Sequence, residues 1–135
     1  MILQNKNIME LTEMRGLFAE LECCIKYNLI PSKNNNSIFD FIFESNDIEI
    51  KSYSKVKRDV ILSYQQLTNN SKAKLFLVEV IESSEGKTIF ELFKKINTKY
   101  KNKFKDIYKY SESAQETKFL ATKINIVEMK KFLKA

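Results

Sequence analysis

The chain has 135 residues, 44% of them hydrophobic, with ten Phe, six Tyr and a formal net charge of +6. A chain of this length forms one ordinary domain and can bury a sizeable core, so we expect a single folded domain over residues 1–135. It contains no His, which excludes His-based acid–base chemistry and His-ligated metals. Any catalysis must then depend on carboxylates, Lys, Tyr or a cation bound by oxygen atoms.

The charge is distributed unevenly along the chain. Residues 1–85 carry 10 basic and 12 acidic side chains, whereas residues 86–135 carry 13 basic and 5 acidic ones. A basic C-terminal third favours a polyanionic partner such as nucleic acid, although a solvated Lys-rich surface gives the same pattern. Cys23 and Cys24 are adjacent and lack the spacing of a metal or redox motif, so we expect packed thiols.

No hydrophobic run approaches the roughly 20 residues of a membrane span, and no signal-peptide pattern is visible. We therefore expect a cytoplasmic protein with no membrane contact.

The first elements in chain order are a helix and a hairpin. Apolar residues recur at steps of three and four from Ile8 to about Leu29, which predicts an amphipathic helix. Pro31 and "SKNNNS" then break the pattern. "IFDFIF" and "DIEIKSYS" predict two strands joined at "ESND", residues 44–47.

The second half of the chain predicts further strands and a long helix. "RDVILSYQQL" (58–67) is ambiguous between strand and helix, whereas "KLFLVEVIE" (74–82) predicts a buried strand followed by a turn at "SSEGK". The apolar spacing of residues 88–110 predicts one long basic helix with a capping box at Thr88 and Glu91. The remainder predicts a short helix, a short strand and a terminal helix. This order indicates an α/β or α+β sheet domain.

Three charged residues interrupt the predicted hairpin. If Glu44 lies opposite Asp47, Asp40 faces Lys51 directly across the hairpin and Glu49 diagonally. Alternation alone favours an ordinary ion pair between Asp40 and Lys51 on a solvated face. The alternative is a site in which two carboxylates hold a hard divalent cation, Mg²⁺ or Mn²⁺, and the Lys assists phosphodiester hydrolysis.

The same residues carry a resemblance to a known family. Asp40 followed by Glu49, Ile50 and Lys51 on the next strand resembles the D...(D/E)xK motif of the PD-(D/E)XK nuclease superfamily. "RGLFAELECC", "ILSYQQL", "LFLVEVIE" and "KTIFELFKKI" are similar, in that order, to a little-characterised prokaryotic branch associated with restriction and phage-defence loci. The resemblance covers about residues 12–98 and implies a restriction-endonuclease-like mixed sheet flanked by helices.

The resemblance also implies roles for individual residues. Glu20, Asp40 and Glu49 match the metal-binding acids, Lys51 the catalytic lysine, and Gln66 a residue that orients substrate or water. Members of that branch are usually longer, so this chain is expected to be a trimmed or standalone catalytic core, which leaves its substrate-recognition elements in question.

DNA contacts are expected around the motif and along the basic segment. Lys55, Lys57 and Arg58 would border the metal site, and Lys94 and Lys95 lie on the predicted basic helix, whose Tyr residues fit a core role or base stacking. The function implied is a Mg²⁺-dependent endonuclease of restriction–modification or phage defence, acting as a homodimer or in a larger complex. The alternatives are an inactive DNA-binding or assembly subunit of the same fold, and RNA as the substrate.

Overall fold

The computed structural model describes residues 2–32, 39–55 and 72–129, with side chains described from residue 10 onward. In this part of the chain five strands form one mixed sheet in the order β1-β2-β3-β4-β5. Only the β3–β4 pairing is parallel. The strands are β1 (Ile30–Pro31), β2 (Phe41–Phe43), β3 (Asn46–Tyr53), β4 (Lys74–Lys87) and β5 (Phe119–Glu128). The sheet and its flanking helices confirm the predicted α/β class.

Helix α1 (Ile2–Tyr27) packs against one face of this sheet and is longer at its N-terminus than the spacing predicted. Its buried stripe matches the predicted helical period and consists of Met14, Phe18, Leu21 and Cys24. The helix ends where Asn28 adopts a left-handed φ of 50° and its amide donates to the carbonyl of Cys24.

The hairpin turn lies one residue earlier than predicted, which corrects the pairing of the two strands. Phe43 pairs with Asn46, and Phe41 with Ile48. Glu44 and Ser45 have φ values of 50° and 69°, as in a two-residue turn that matches the strand twist. The pairing therefore shifts by two residues, which keeps the residues of β2 and β3 on their predicted faces but places Asp40 across from Glu49 instead of Lys51.

Strand β4 continues through the segment where a turn was predicted. It ends at Lys87, and its register against β5 shifts between Glu82 and Lys87, which both pair with Phe119. The Ser83 amide donates to the Lys118 carbonyl at 3.0 Å, so backbone pairing replaces the turn. The connection from β3 to β4 passes through residues 56–71, and the predictions made for 58–67 and for Gln66, Lys57 and Arg58 lie outside the described residues.

The predicted long basic helix is wrong, because residues 88–110 form three short elements. These are α2 (Ile89–Lys95), α3 (Thr98–Lys101) and a 3₁₀ helix (Lys105–Lys109). The capping box of Thr88 and Glu91 is confirmed. The helix α2 ends because Ile96 and Asn97 have extended backbones. The side chain of Asn97 accepts a hydrogen bond from the Lys99 amide, so Asn97 caps the start of α3.

The hydrophobic core occupies the sheet face that α1 covers. Residues at the predicted spacing in the broken segment still reach it, namely Ile89, Leu92, Ile96, Tyr100, Phe104 and Ile107, with Phe93 partly buried against them. Tyr110, which was not part of that spacing, also belongs to the core. A second cluster on the opposite face contains Phe39, Ala73, Leu75 and Met129. Strict strand alternation would put Phe39 on the same face as Phe41, but Phe39 precedes β2 and belongs to this second cluster.

The C-terminal part contains helix α4 (Glu112–Gln115) and β5, in agreement with the predicted short helix and strand. The predicted terminal helix falls beyond the described residues. Cys23 and Cys24 are free and buried, and burial raises the pKa of Cys23 to about 12, so packed thiols are confirmed. No helix in the described ranges is long and apolar enough to cross a membrane.

Candidate active site

A cavity of about 420 Å³ opens beside β3, at the point where β2 stops pairing with it. In the described pairings, β2 meets β3 only as far as Ile48, so the β3 edge from Glu49 onward faces this cavity. Helix α1 forms the second wall, and the 3₁₀ helix with Tyr110 forms the third. The cavity is lined by Glu13, Gly16, Leu17, Glu20, Glu49, Ile50, Lys51, Ser52, Lys109 and Tyr110.

Glu20 is placed in the cavity by the helical period of α1. It lies one turn from Gly16 and Leu17, on the flank of the buried stripe. Burial, and then the charges of Asp40 and Glu49, raise the pKa of Glu20 to about 8; the charges of Lys103 and Lys51 oppose this shift. Three of the predicted acids therefore interact electrostatically, although they come from three different elements.

Glu49 and Lys51 stand two residues apart on one face of β3, as predicted from alternation. The ammonium nitrogen of Lys51 lies 3.6 Å from Oε1 of Glu49, and the Glu49 side chain is only 13% exposed. Lys51 thus pairs with Glu49 on its own strand, and the predicted pairing of Asp40 with Lys51 is wrong.

Asp40 is paired with a lysine from a distant part of the chain. Its Oδ1 lies 3.3 Å from Nζ of Lys103, whose ammonium also lies 5.0 Å from the centre of the Phe41 ring. Lys103 follows α3, so the break in the predicted long helix brings it to the start of β2. The Asp40 side chain is 55% exposed and turns toward this ammonium group.

Four further polar residues line the cavity and were not among the predicted site residues, namely Glu13, Ser52, Lys109 and Tyr110. Burial and a hydrogen-bonded Glu13 raise the pKa of Tyr110 to about 12, and Nζ of Lys109 lies 4.0 Å from Glu13. Glu13 precedes Glu20 by seven residues, so helical spacing alone could have found it. Lys109 and Tyr110 had no such signal, because only tertiary packing brings them to α1.

The three predicted DNA-contacting lysines that lie in the described residues, Lys55, Lys94 and Lys95, do not line this cavity. Lys94 and Lys95 are exposed on α2. A hydrogen bond with Lys87, and then the charge of Lys87, lower the pKa of Lys95, and neither lysine lines the cavity. Lys55 is exposed just after β3. The basic residues at or beside the carboxylates are instead Lys51, Lys103 and Lys109.

The donor chemistry of the site suits a hard divalent cation. Glu20, Asp40 and Glu49 offer carboxylate oxygens, and burial first and then the two neighbouring carboxylates raise the pKa of Glu20. As the side chains stand, no three acids or thiols in the described ranges are close enough together to hold a metal ion. A bound ion would have to draw Asp40 away from Lys103.

The fold and the site together define a class of protein. An acid-bearing helix precedes an Asp strand, a Glu-Ile-Lys strand and a parallel neighbour, which is the arrangement of a PD-(D/E)XK nuclease-like fold. The chain belongs to the family DUF4420, described as "Putative PD-(D/E)XK family member", whose model matches residues 1–132. This match confirms the predicted superfamily. No curated protein and no solved structure matches the chain.

Proposed function

We propose that this protein is a metal-dependent deoxyribonuclease that hydrolyses phosphodiester bonds in restriction or phage defence. The observation that supports this most is that Glu20, Glu49 and Lys51 line one cavity while the charge of Asp40 reaches Glu20. Membership of the PD-(D/E)XK family supports the reaction class. The choice of DNA rests on the family and on the basic C-terminal third.

The residues have distinct roles in the proposed reaction. Glu20, Asp40 and Glu49 would hold Mg²⁺ or Mn²⁺, which when bound supplies Lewis acidity at a phosphate oxygen. Lys51, held near Glu49, would orient the attacking water and stabilise the negative charge that develops on the phosphate. Lys103 and Lys109 would attract the DNA backbone, and the partly buried Glu49 and Tyr110 would limit solvent access.

The first test is cleavage of supercoiled plasmid by the Lys51→Ala variant with Mg²⁺, Mn²⁺ or EDTA. We expect the wild type to nick DNA only with a divalent cation, and the variant to lose roughly 100-fold or more of the nicking rate, because the lost ammonium stabilises the transition state. Plasmid binding in EDTA should be nearly unchanged.

Lys123→Ala is the matched control, because Lys123 is a strand lysine on β5, opposite Glu79 and away from the cavity. It should nick at the wild-type rate. Equal nicking by the Lys51 and Lys123 variants would refute the role of Lys51, and absence of metal-dependent nicking by the wild type would refute the function.

A second candidate is a non-catalytic DNA-binding or assembly subunit that retains this fold. The specific observation in its favour is the ion pair of Asp40 with Lys103, which gives that carboxylate a counter-charge without a metal. Calorimetry with Mn²⁺ separates the two candidates. A nuclease site should bind the ion and lose binding in Asp40→Asn, whereas a subunit without the metal site should show no binding in either protein.

A further inference from the structure

An exposed aromatic cluster lies on the side of the 3₁₀ helix that faces away from the core. The Tyr108 side chain is 63% exposed, more than the other exposed large hydrophobic residues in the described ranges. Its ring is centred 5.3 Å from that of Phe90 and 6.1 Å from that of Phe93. Tyr108 therefore contacts two rings on α2 while most of its side chain remains exposed to solvent.

The exposure of Tyr108 follows from the threefold period of the 3₁₀ helix. Phe104, Ile107 and Tyr110 recur at steps of three and are buried. Lys105 and Tyr108 share the next face and are exposed. Of the three tyrosines in this segment, Tyr100 and Tyr110 belong to the core, so Tyr108 is left as the one available for stacking.

Positive charge surrounds this aromatic cluster. The segment 88–110 carries seven lysines and two acids, a net charge of +5. Nζ of Lys101 lies 4.2 Å from the centre of the Phe93 ring, and Lys105 lies one 3₁₀ turn before Tyr108. An aromatic surface with adjacent ammonium groups is complementary to a nucleobase and its flanking phosphates.

The cluster also neighbours the candidate active site. Lys109, the next residue after Tyr108, lines the cavity together with Glu20 and Glu49. Asp106 and Lys109 lie on the third face of the 3₁₀ helix, toward α1. A strand whose phosphate approaches the cavity would therefore pass beside this helix.

We propose that Tyr108, supported by Phe90 and Phe93, is a stacking platform for an unpaired nucleobase, with Lys101 and Lys105 contacting the adjacent phosphates. The stacking proposal depends on the proposed function in one respect, which is that nucleic acid binds near the cavity. It assigns a preference for single-stranded segments, because a base paired within a duplex does not expose its flat face.

The test is fluorescence anisotropy with labelled poly(dT) in EDTA, where no cleavage can occur. We expect Tyr108→Ala to weaken binding about five- to a hundredfold, the range typical of losing one base–aromatic stack. Tyr108→Phe should bind like the wild type because it keeps the ring. An abasic oligonucleotide with the same phosphates, and a blunt duplex, should bind wild type and Tyr108→Ala equally.

Equal affinity of wild type and Tyr108→Ala for poly(dT) would overturn the proposal, as would an equal loss on the abasic strand. Thermal unfolding of Tyr108→Ala checks that this variant is folded. If Tyr108→Ala is unstable, the binding of Tyr108→Phe still provides the test. Poly(rU) in place of poly(dT) shows whether the platform accepts RNA as well. Because cleavage is not measured, failure here is separate from failure of the nuclease proposal.

Discussion

Burial and like charge act together on the carboxyl group of Glu20. Its nearest charged neighbours are two other carboxylates, each with a lysine partner of its own. The buried carboxyl group therefore favours its protonated form until a cation compensates the cluster. This electrostatic conflict is the residue-level signature expected of a cation site.

This conflict predicts a pH dependence of stability in the absence of metal. The pKa of Glu20 is about 8 in the folded chain and about 4.5 when unfolded, so unfolding releases a proton between these values. The free energy of unfolding should therefore fall as the pH rises from about 4.5 to 8, by up to about 4 kcal/mol at 1.4 kcal/mol per pKa unit. Urea unfolding with EDTA across this range measures it.

Glu20→Gln should remove this slope, because the amide does not ionise. Glu22→Gln, on the other flank of α1, is the control and should keep the slope. If the Glu20 variant and the wild type show the same pH dependence, the carboxyl group is not perturbed as described.

The face on which a residue lies was well predicted from the sequence where it depends only on neighbouring positions of the chain. The resemblance pointed to Glu20, Glu49 and Lys51, and helical period and strand alternation predicted the faces on which they lie. The residue opposite Asp40 in the hairpin was predicted wrongly, because it depends on whether the turn closes at Glu44 and Ser45 or one residue later. The ion-pair partner of Asp40, Lys103, was missed for a different reason, because it lies 63 positions away in the sequence.

At the level of elements, the breaks between α2, α3 and the 3₁₀ helix decide which lysines reach the site. A continuous helix over residues 89–110 would extend roughly 33 Å in one direction. Breaks at Ile96–Asn97 and at Asn102–Phe104 fold this segment back along α1 instead. The hydroxyl of Tyr100 donates to the carbonyl of Leu29, which fixes α3 to the end of α1.

The position of Lys103 predicts competition between its ammonium group and a metal ion. Lys103→Met frees Asp40 from its ion pair, so we expect Mn²⁺ to bind about two- to fivefold more tightly, the scale of an exposed ion pair. Isothermal calorimetry provides the measurement. Lys105→Met removes the same charge at an exposed position that is not paired with Asp40, and it should change the affinity less. Equal effects of the two substitutions would mean that only overall charge matters.

The irregular pairing of β4 with β5 predicts an intolerance at Gly86. A Cβ atom there would lie 2.1 Å from the carbonyl oxygen and 2.5 Å from the carbonyl carbon of Phe119, which are backbone atoms and cannot rotate away. Gly86→Ala should therefore lower the free energy of unfolding by roughly 2 kcal/mol or more. Ser84→Ala, at an exposed position of the same segment, should stay near wild type in urea unfolding. Equal stability of the two variants would contradict the close approach.

At the level of the whole molecule, the candidate site is assembled where three separate segments meet. Helix α1 supplies Glu13 and Glu20, the hairpin supplies Asp40, Glu49 and Lys51, and the segment after α3 supplies Lys103, Lys109 and Tyr110. The parallel β3–β4 pairing leaves the β3 edge open on the side where β2 ends. The cavity is therefore a product of sheet order rather than of any one motif.

The sequence by itself determined the fold class, the buried stripe of α1 and the capping box at Thr88. Periodicity and alternation are local properties, so each of these depends on residues only a few positions apart. The tertiary structure alone decided the hairpin pairing, the breaks after Lys95 and Lys101, and the arrival of Lys103 and Tyr110 at the carboxylates. Those outcomes depend on which turn closes and on contacts between segments distant in sequence, which no local pattern encodes.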